Sequence, residues 1–285
     1  MNKTEFDMLV SRLSTVGETE STICADLKAR GWLDDMGQIT SAGLEALEPY
    51  RVKRAVFLAA GFGSRMTPIT INTPKTLVRV HGKSIIETGL DAVLSAGIEE
   101  IWIVRGYLGE QFDLLLRKYP MIRFIDNPDY TDTGTISSFF YAKDHLESAY
   151  VLESDLVIRN PEVIRRYHFT SDFLGTKTTE TDDWYFKTDN EGWIREIGVG
   201  SRGDDLYKLI GISYWSAEDG KSLSKDINTA FREPEGRKLP MSFVPFRVFR
   251  DRYHVHIATC ESEDVREIDS FKELQEYDEA YKIKV

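Results

Sequence analysis

The 285-residue sequence lacks the features that mark several large classes of protein. Its two cysteines, Cys24 and Cys260, lie far apart, so no disulfide framework is implied. No apolar run approaches the roughly 18 residues that a membrane-spanning helix requires. The first residues also lack the apolar stretch of a signal peptide. We therefore expect a soluble, cytoplasmic protein without a membrane partner.

Positive charge is also scarce. The chain has 36 Lys and Arg against 47 Asp and Glu, which gives a formal net charge of -11. Because phosphate backbones attract Lys and Arg, this balance makes nucleic acid an unlikely main partner. A small anionic ligand is not excluded, since a local cluster of donors and a metal ion can hold it. The composition leaves open whether the protein forms an oligomer.

Residues 1–50 have a pattern of their own. Apolar side chains at helical spacing predict a first helix: Phe6, Leu9, Val10 and Leu13. A second helix is predicted over 20–30, followed by a tight turn, a short strand and a helix capped at Thr40 or Ser41. This order resembles a winged helix-turn-helix module. The segment has 4 basic and 9 acidic residues, so a docking or oligomerisation appendage is favoured over a DNA reader.

Residues 52–285 form the second predicted domain, in which strand and helix patterns first alternate. Strands are predicted at 54–60, 100–105, 121–125 and 149–152, and helices at 84–96, 109–119 and 135–145. This alternation predicts an α/β fold with a doubly wound, mostly parallel, Rossmann-like sheet. Strands at 171–178, 184–188, 193–199 and 209–214 then predict a mixed, partly antiparallel extension. The second domain is completed by a predicted helix at 217–231, a strand at 254–259 and a helix at 270–281.

The most informative motif follows the first predicted strand. It runs through Leu58, Ala59, Ala60, Gly61, Phe62, Gly63, Ser64, Arg65 and Met66, with Thr73, Pro74 and Lys75 further on. Gly61 and Gly63 let the backbone approach a ligand, and successive N–H groups form an anion cradle. Arg65 offers a planar fork for phosphate oxygens, and Lys75 a compact charge where charge develops during reaction. The motif predicts a phosphate-binding loop.

Two other phosphate-binding loops do not fit. A Walker loop needs Lys followed by Ser or Thr directly after its last glycine. A dinucleotide fingerprint needs a third glycine, at the position of Met66. The remaining alternative is a tight strand-to-helix turn with incidental basic residues.

The segments LAAGFGSRM and TPKTL resemble the signature of the sugar-phosphate nucleotidyltransferase superfamily. Within it, the sequence is similar to bacterial phosphocholine cytidylyltransferases and also to phosphonate cytidylyltransferases. Further segments extend the likeness over nearly all of 52–285: 104–107 with Glu110, 127–130, 136–138, 151–155, 181–184, 211–215 and 267–270. The resemblance implies a type A nucleotidyltransferase-like sheet, and winged-helix appendages also occur among similar proteins.

The implied reaction joins a phosphorylated or phosphonylated acceptor to the α-phosphorus of CTP and releases pyrophosphate. No covalent enzyme intermediate or general base is required. The resemblance gives catalytic roles to Lys75, at the acceptor and α-phosphate, and to Arg65, at the β and γ phosphates. The implied nucleotide-binding residues are Leu58, Ala59, Ala60, Gly61, Gly63, Ser64, Arg65, Tyr107, Gly134 and Thr135.

Two acids are the implied ligands of Mg²⁺. Asp155 ends a predicted strand, where ligands gather in open α/β sheets, and Asp269 precedes the last predicted helix. Carboxylate oxygens suit Mg²⁺, and the resemblance implies that this pair holds the ion against the nucleotide. From the residues alone, both could instead be helix N-caps.

The implied acceptor site lies among Asp182, Asp183, Trp184, Tyr214 and Trp215. Aromatic faces with a nearby carboxylate favour a quaternary ammonium, so phosphocholine is the first acceptor to consider. The alternative is that these aromatic side chains belong to the core.

Two departures from the choline enzymes fall where the acceptor head group should bind. Gly134 and Thr135 replace a pair of asparagines, and residues 240–246 replace a Tyr-Trp-Asp segment. A phosphonate such as 2-aminoethylphosphonate or 2-hydroxyethylphosphonate is therefore the alternative acceptor. A sugar-1-phosphate nucleotidyltransferase and a nucleotide-sensing DNA-binding regulator are the other hypotheses.

Overall fold

The computed structural model describes residues 1–14 and 21–282. These residues divide into two compact units. The first consists of the described part of Met1–Val52 together with Arg166–Thr170, and the second of Lys53–Arg165 and the described chain from Ser171 onward. In the part of the chain that is described, no helix combines the length and the apolar character needed to cross a membrane.

The bounds of the regular elements are as follows. The α-helices of the described residues are α1 (Lys3–Ser11), α2 (Thr22–Ala29), α3 (Ser41–Leu47), α4 (Ile85–Ser95), α5 (Ile136–Ala142), α6 (Ala217–Arg232) and α7 (Phe271–Tyr277). The strands are β1 (Arg54–Ala59), β2 (Arg79–Val80), β3 (Lys83–Ser84), β4 (Glu100–Arg105), β5 (Ile122–Asp126), β6 (Ala149–Glu153), β7 (Leu156–Ile158), β8 (Asp172–Thr188), β9 (Ile194–Trp215), β10 (His256–Thr259) and β11 (Val265–Glu267).

In its described residues the first unit contains α1 to α3 and two isolated β-bridges, Leu33–Ile39 and Arg51–Tyr167. Its core is apolar, and the residues 166–170 contribute to it through Tyr167 and Phe169. The predicted cap of α3 is confirmed, since the Thr40 hydroxyl accepts the N–H of Gly43 at 3.1 Å. Residue 20, the first of the predicted second helix, lies outside the described residues. The winged-helix interpretation stays a prediction.

The second unit is built on a seven-stranded sheet in the order β10-β8-β9-β6-β1-β4-β5. β9 runs antiparallel to both of its neighbours, β6 and β8, whereas the other neighbouring pairs are parallel. The predicted α/β class with a mostly parallel sheet and a mixed extension is therefore confirmed. β1 lies between β4 and β6, so its carboxyl end opens at the centre of the parallel part of the sheet.

Several predicted boundaries were wrong, most of them in the extension. The four strands predicted between 171 and 214 are two long ones, β8 and β9, which pair as an antiparallel ribbon interrupted by β-bulges. Polar residues at 179–183 and 200–208 suggested turns, but much of the ribbon is exposed and tolerates polar side chains. The predicted helix at 109–119 is a 3₁₀ helix, Gly109–Arg117. The last predicted helix divides at Asp278, whose carboxylate caps the 3₁₀ turn Glu279–Tyr281.

One short strand pairing, absent from the sequence prediction, positions the site. β7 and β11 pair antiparallel with Glu267 opposite Leu156, and the Ile268 N–H donates to the Asp155 carbonyl at 3.1 Å. This pairing brings the residues after β6 next to the residues that precede α7. It explains how Asp155 and Asp269, which are distant in sequence, become neighbours.

Candidate active site

A cleft of about 1180 Å³ opens at the carboxyl ends of β1 and β6. Most of the residues predicted to bind the nucleotide border it: Leu58, Ala59, Ala60, Gly61, Gly63, Ser64, Arg65, Gly134 and Thr135. The proposed acceptor residues Asp182, Asp183 and Trp184 border it as well, together with Lys75, Asp155 and Asp269. The fold thus brings separate sequence motifs around one cavity.

Hydrogen bonds to its backbone carbonyls and the conformation of Gly63 hold the loop after β1 in place. Gly63 has φ +67°, and a Cβ on it would lie 2.7 Å from the Cβ of Lys75, so a side chain has neither the conformation nor the space. The Thr70 hydroxyl donates to the Gly63 carbonyl at 2.9 Å, and the Ser154 hydroxyl donates to the Leu58 carbonyl. A Cβ on Gly61 would meet no atom within 4 Å, which leaves room for a ligand against this turn.

Lys75 lies between the two predicted metal ligands. Its ammonium donates to Asp155 Oδ2 at 2.8 Å and to Asp269 Oδ1 at 2.6 Å, and Arg65 pairs with the other oxygen of Asp269. Burial lowers the pKa of Lys75, but attraction and hydrogen bonding from Asp155 and Asp269 outweigh it, so the pKa lies above its usual value. Lys75 is therefore a fixed positive charge beside the glycine loop.

Glu267 is a third carboxylate at this point, and it was not among the predicted site residues. One oxygen from each of Asp155, Glu267 and Asp269 lies within 4.8 Å of the others. Burial raises the pKa of Glu267 to about 7, with further contributions from the charges of Asp155, Asp183 and Asp269. The position of Glu267, two residues before Asp269 in the sequence, is the feature that could have identified it.

This acidic cluster fits a divalent cation. Asp155 Oδ1 is buried and has no hydrogen-bond partner among the described residues, although its other oxygen contacts Lys75. A buried carboxylate oxygen without a donor is unfavourable unless a cation or another group satisfies it. Three convergent carboxylates are the donor set that hard divalent ions such as Mg²⁺ prefer.

The alternative roles of the two aspartates as helix N-caps are wrong. α7 is capped by Ser270, whose hydroxyl accepts the Glu273 N–H at 3.2 Å, so Asp269 lies one residue before the cap. Asp155 lies in the turn between β6 and β7, where no helix begins. Helix capping therefore does not explain why both carboxylates border the cleft.

Tyr107 lies outside the cleft, so a direct nucleotide contact is not supported. Its N–H donates to the Ala60 carbonyl at 3.0 Å, and its hydroxyl donates to the Ile71 carbonyl at 2.8 Å. Its ring meets Phe62 edge to face at 4.5 Å. Tyr107 therefore supports the glycine loop from behind.

Gly134 and Thr135 border the cleft and also contact the segment that follows α6. The Gly134 N–H donates to the Arg237 carbonyl at 2.9 Å, and the Thr135 hydroxyl accepts the Met241 N–H at 3.0 Å. A Cβ at Gly134 would lie 2.6 Å from the Lys238 carbonyl oxygen. The two departures from the choline-enzyme pattern are therefore in contact, and an asparagine at position 134 would not fit.

Tyr214 and Trp215 do not form the predicted acceptor site. They are 1% and 0% exposed, because both lie at the end of β9, deep in the unit. The Trp215 indole donates to the Ser213 hydroxyl at 3.0 Å and meets the Tyr253 ring, while Tyr214 meets Tyr150. The alternative interpretation as core residues is confirmed for this pair.

The remaining residues predicted to bind the acceptor have clear neighbours. Trp184 is half-buried and meets Phe243 edge to face at 5.5 Å. Asp183 forms an ion pair with Lys208, whose ammonium lies 3.0 Å from Asp183 Oδ2. Asp182 is exposed. The residues predicted to bind the acceptor that border the cleft thus comprise two carboxylates and one indole, and Lys208 is paired with one of the carboxylates.

Known proteins resemble the chain in sequence and in structure. Residues 55–182 match the model of the MobA-like NTP transferase domain. The chain is 36% identical over 237 residues to 2-aminoethylphosphonate cytidylyltransferase of Lancefieldella rimae, covering 80% of this chain and 92% of that protein. It is 29% identical to choline-phosphate cytidylyltransferase of Streptococcus pneumoniae, covering 80% and 98%. The solved structure of CTP:phosphocholine cytidylyltransferase from the same species matches with a TM-score of 0.74 at 30% identity, covering 81% of this chain and all of that one.

The sheet, the glycine loop and the cluster of lysine and carboxylates define a nucleotidyltransferase. The 36% sequence identity to a phosphonate cytidylyltransferase, over 92% of that protein, narrows this class of enzymes further. The chain belongs to the cytidylyltransferase family that contains the phosphonate and choline-phosphate enzymes.

Proposed function

We propose that the chain transfers a cytidylyl group from CTP to 2-aminoethylphosphonate, or to a close amino-phosphonate, and releases pyrophosphate. The observation that carries this choice is the composition of the acceptor end. Among the described lining residues, the aromatic ones are Trp184 and Phe173, and Phe173 is only 4% exposed. Asp182 and Asp183 provide carboxylates instead.

The acceptor's head group decides which of these features matters. A primary ammonium donates three hydrogen bonds and is well served by carboxylates. A trimethylammonium donates none and depends on several aromatic faces. Tyr214 and Trp215 are buried in the core and provide no aromatic face to the acceptor, so the site favours a primary amine. The similarity to a 2-aminoethylphosphonate cytidylyltransferase supports the same choice.

The chain's own residues account for the remaining steps. Backbone N–H groups of the glycine loop bind the β and γ phosphates with Arg65, whose side chain is 73% exposed and able to leave Asp269. Lys75 neutralises charge at the α-phosphorus while an anionic acceptor oxygen attacks it. A new oxygen–phosphorus bond forms as the bond to pyrophosphate breaks, and no proton has to be removed.

The carboxylates of Asp155, Glu267 and Asp269 would hold a divalent cation, which we propose to be Mg²⁺ and which neutralises phosphate charge when bound. Without the cation, Lys75 neutralises part of the charge of Asp155 and Asp269. The residues that bind phosphate and those that bind the cation are thus adjacent.

Pyrophosphate release tests the proposal. CTP, UTP, dTTP and ATP are each supplied with Mg²⁺ and one acceptor: 2-aminoethylphosphonate, phosphoethanolamine, phosphocholine, 2-hydroxyethylphosphonate or glucose 1-phosphate. We expect the highest kcat/KM with CTP and 2-aminoethylphosphonate. A higher value for phosphocholine would overturn the acceptor, and activity restricted to UTP or dTTP with the sugar phosphate would overturn the cytidylyl assignment.

Phosphocholine is the second candidate acceptor, because Trp184 and Asp183 still place an aromatic face near a carboxylate. In that case Trp184→Leu should raise the KM for phosphocholine more than the KM for 2-aminoethylphosphonate. Equal effects on both acceptors would contradict a role for the indole in holding the methyl groups.

A further inference from the structure

An ion pair between Lys208 and Asp183 crosses the ribbon at the acceptor end of the cleft. The Lys208 ammonium lies 3.0 Å from Asp183 Oδ2, and both residues border the cavity. Their side chains are 41% and 42% exposed, so neither is fixed by burial. Lys208 also pairs across the ribbon with Thr176, another lining residue.

This ion pair adjoins the reaction centre. Lys208 and Asp183 border the same cavity as Glu267 of the acidic cluster. Glu267 in turn has an oxygen within 4.8 Å of oxygens of Asp155 and Asp269. A small acceptor that reaches from the reacting phosphorus to Trp184 would therefore pass beside Lys208 and Asp183.

We propose that Lys208 is a specificity-determining residue that binds the acceptor's phosphonate, while Asp183 binds its ammonium. The bound acceptor opens the Lys208–Asp183 pair and replaces each partner with a group of the same sign. The inference rests on the proposed function and extends it from one compound to a class, the zwitterions in which a cation and a phosphonate or phosphate are separated by a short linker.

Charge balance explains why such a site selects zwitterions. When an ammonium and a phosphonate enter together, neither Lys208 nor Asp183 is left without a counter-charge. An acceptor that has only the anion separates the pair and leaves Asp183 unpaired. Losing a hydrogen bond to a charged group weakens binding by about 10- to 100-fold. Discrimination between the two kinds of acceptor should be of this size.

The test compares 2-aminoethylphosphonate with ethylphosphonate, which lacks the amine. KM is measured for the first compound, and the competitive inhibition constant for the second, in wild type, Lys208→Met, Lys208→Arg and Asp183→Asn. Arg202→Met is the matched control, because the Arg202–Glu180 pair joins the same two strands outside the cleft and is more exposed.

We expect Asp183→Asn to raise the KM for 2-aminoethylphosphonate by about 10- to 100-fold. Ethylphosphonate should bind this variant more tightly than wild type, because no carboxylate is then left unpaired. Lys208→Met should weaken both compounds by a similar factor, with partial recovery in Lys208→Arg and no change in Arg202→Met. If Lys208 only oriented Asp183, its loss would affect the amine compound alone. Unchanged ethylphosphonate binding in Lys208→Met would therefore overturn the inference.

The result is separable from that of the proposed function. A wild-type protein that releases no pyrophosphate with 2-aminoethylphosphonate refutes the proposed acceptor only. If phosphocholine is used instead, the same variants with phosphocholine and ethyl phosphate test the ion pair. Weaker binding of both compounds to Lys208→Met still supports the inference. Weaker binding of phosphocholine alone overturns it.

Discussion

Replacement of Lys75 by methionine separates the electrostatic role of this residue from its packing. The lysine is 7% exposed, and its ammonium is hydrogen-bonded to Asp155 and Asp269. Methionine fills a similar volume but has no charge. The variant therefore retains most of the contacts of the side chain while it leaves three carboxylates without their buried cation.

The size of the effect follows from burial. Removing one partner of a buried ion pair costs about 3–5 kcal/mol of unfolding free energy. The side chains of Asp155 and Asp269 are 22% and 19% exposed, so solvent screens part of their repulsion. We expect a loss of about 2–3 kcal/mol. Turnover should fall about 100- to 1000-fold, because charge at the α-phosphorus is no longer neutralised.

A divalent cation should then restore stability without restoring turnover. A ligand present at 100 times its dissociation constant stabilises the native state by about 2.7 kcal/mol, which is close to the expected loss. In wild type the lysine competes for the charge of the same two carboxylates, so added Mg²⁺ should stabilise wild type less than the variant.

Urea unfolding with and without Mg²⁺, together with pyrophosphate release, measures both quantities. Lys272→Met is the control, because Lys272 is 85% exposed and only weakly paired. The reasoning is refuted if Lys75→Met keeps wild-type turnover, or if Mg²⁺ stabilises the variant no more than wild type.

Three further predictions concern single positions. Gly63→Ala should lose about 1 kcal/mol of stability in urea unfolding, because φ is +67°, and turnover should fall as the new Cβ displaces Lys75. Glu267→Gln should raise the Mg²⁺ concentration for half-maximal pyrophosphate release by about tenfold or more, since a ligand charge is lost. Trp215→Ala should cost about 3–5 kcal/mol in urea unfolding and leave the acceptor KM unchanged, because the indole is in the core.

The glycine loop could be predicted from sequence because its chemistry is local. The strand, the two glycines and the basic residues lie within a short stretch, and β1 begins where the pattern places it. The mostly parallel sheet follows from the same kind of local alternation. Boundaries in the ribbon of β8 and β9 could not be predicted, since polar residues in an exposed strand resemble those of a turn.

The meeting of Asp155 and Glu267 depends on a contact that no local pattern encodes. β7 and β11 are three residues each and more than 100 residues apart in sequence, so their pairing is set by the packed fold. The error at Tyr214 and Trp215 has a different origin. The buried run that ends β9 is covered on both faces, so neighbouring side chains are both in the core, and alternation gives no guidance.

The first unit is assembled from two separate stretches of chain. Its apolar core combines residues before Val52 with Tyr167 and Phe169, where Phe169 stacks on Tyr50 at 5.5 Å. A fragment that stops at residue 52 would lack two aromatic members of that core. A truncation that starts after residue 52 would expose the same two rings to water. Expression boundaries chosen from sequence position alone would therefore damage either fragment.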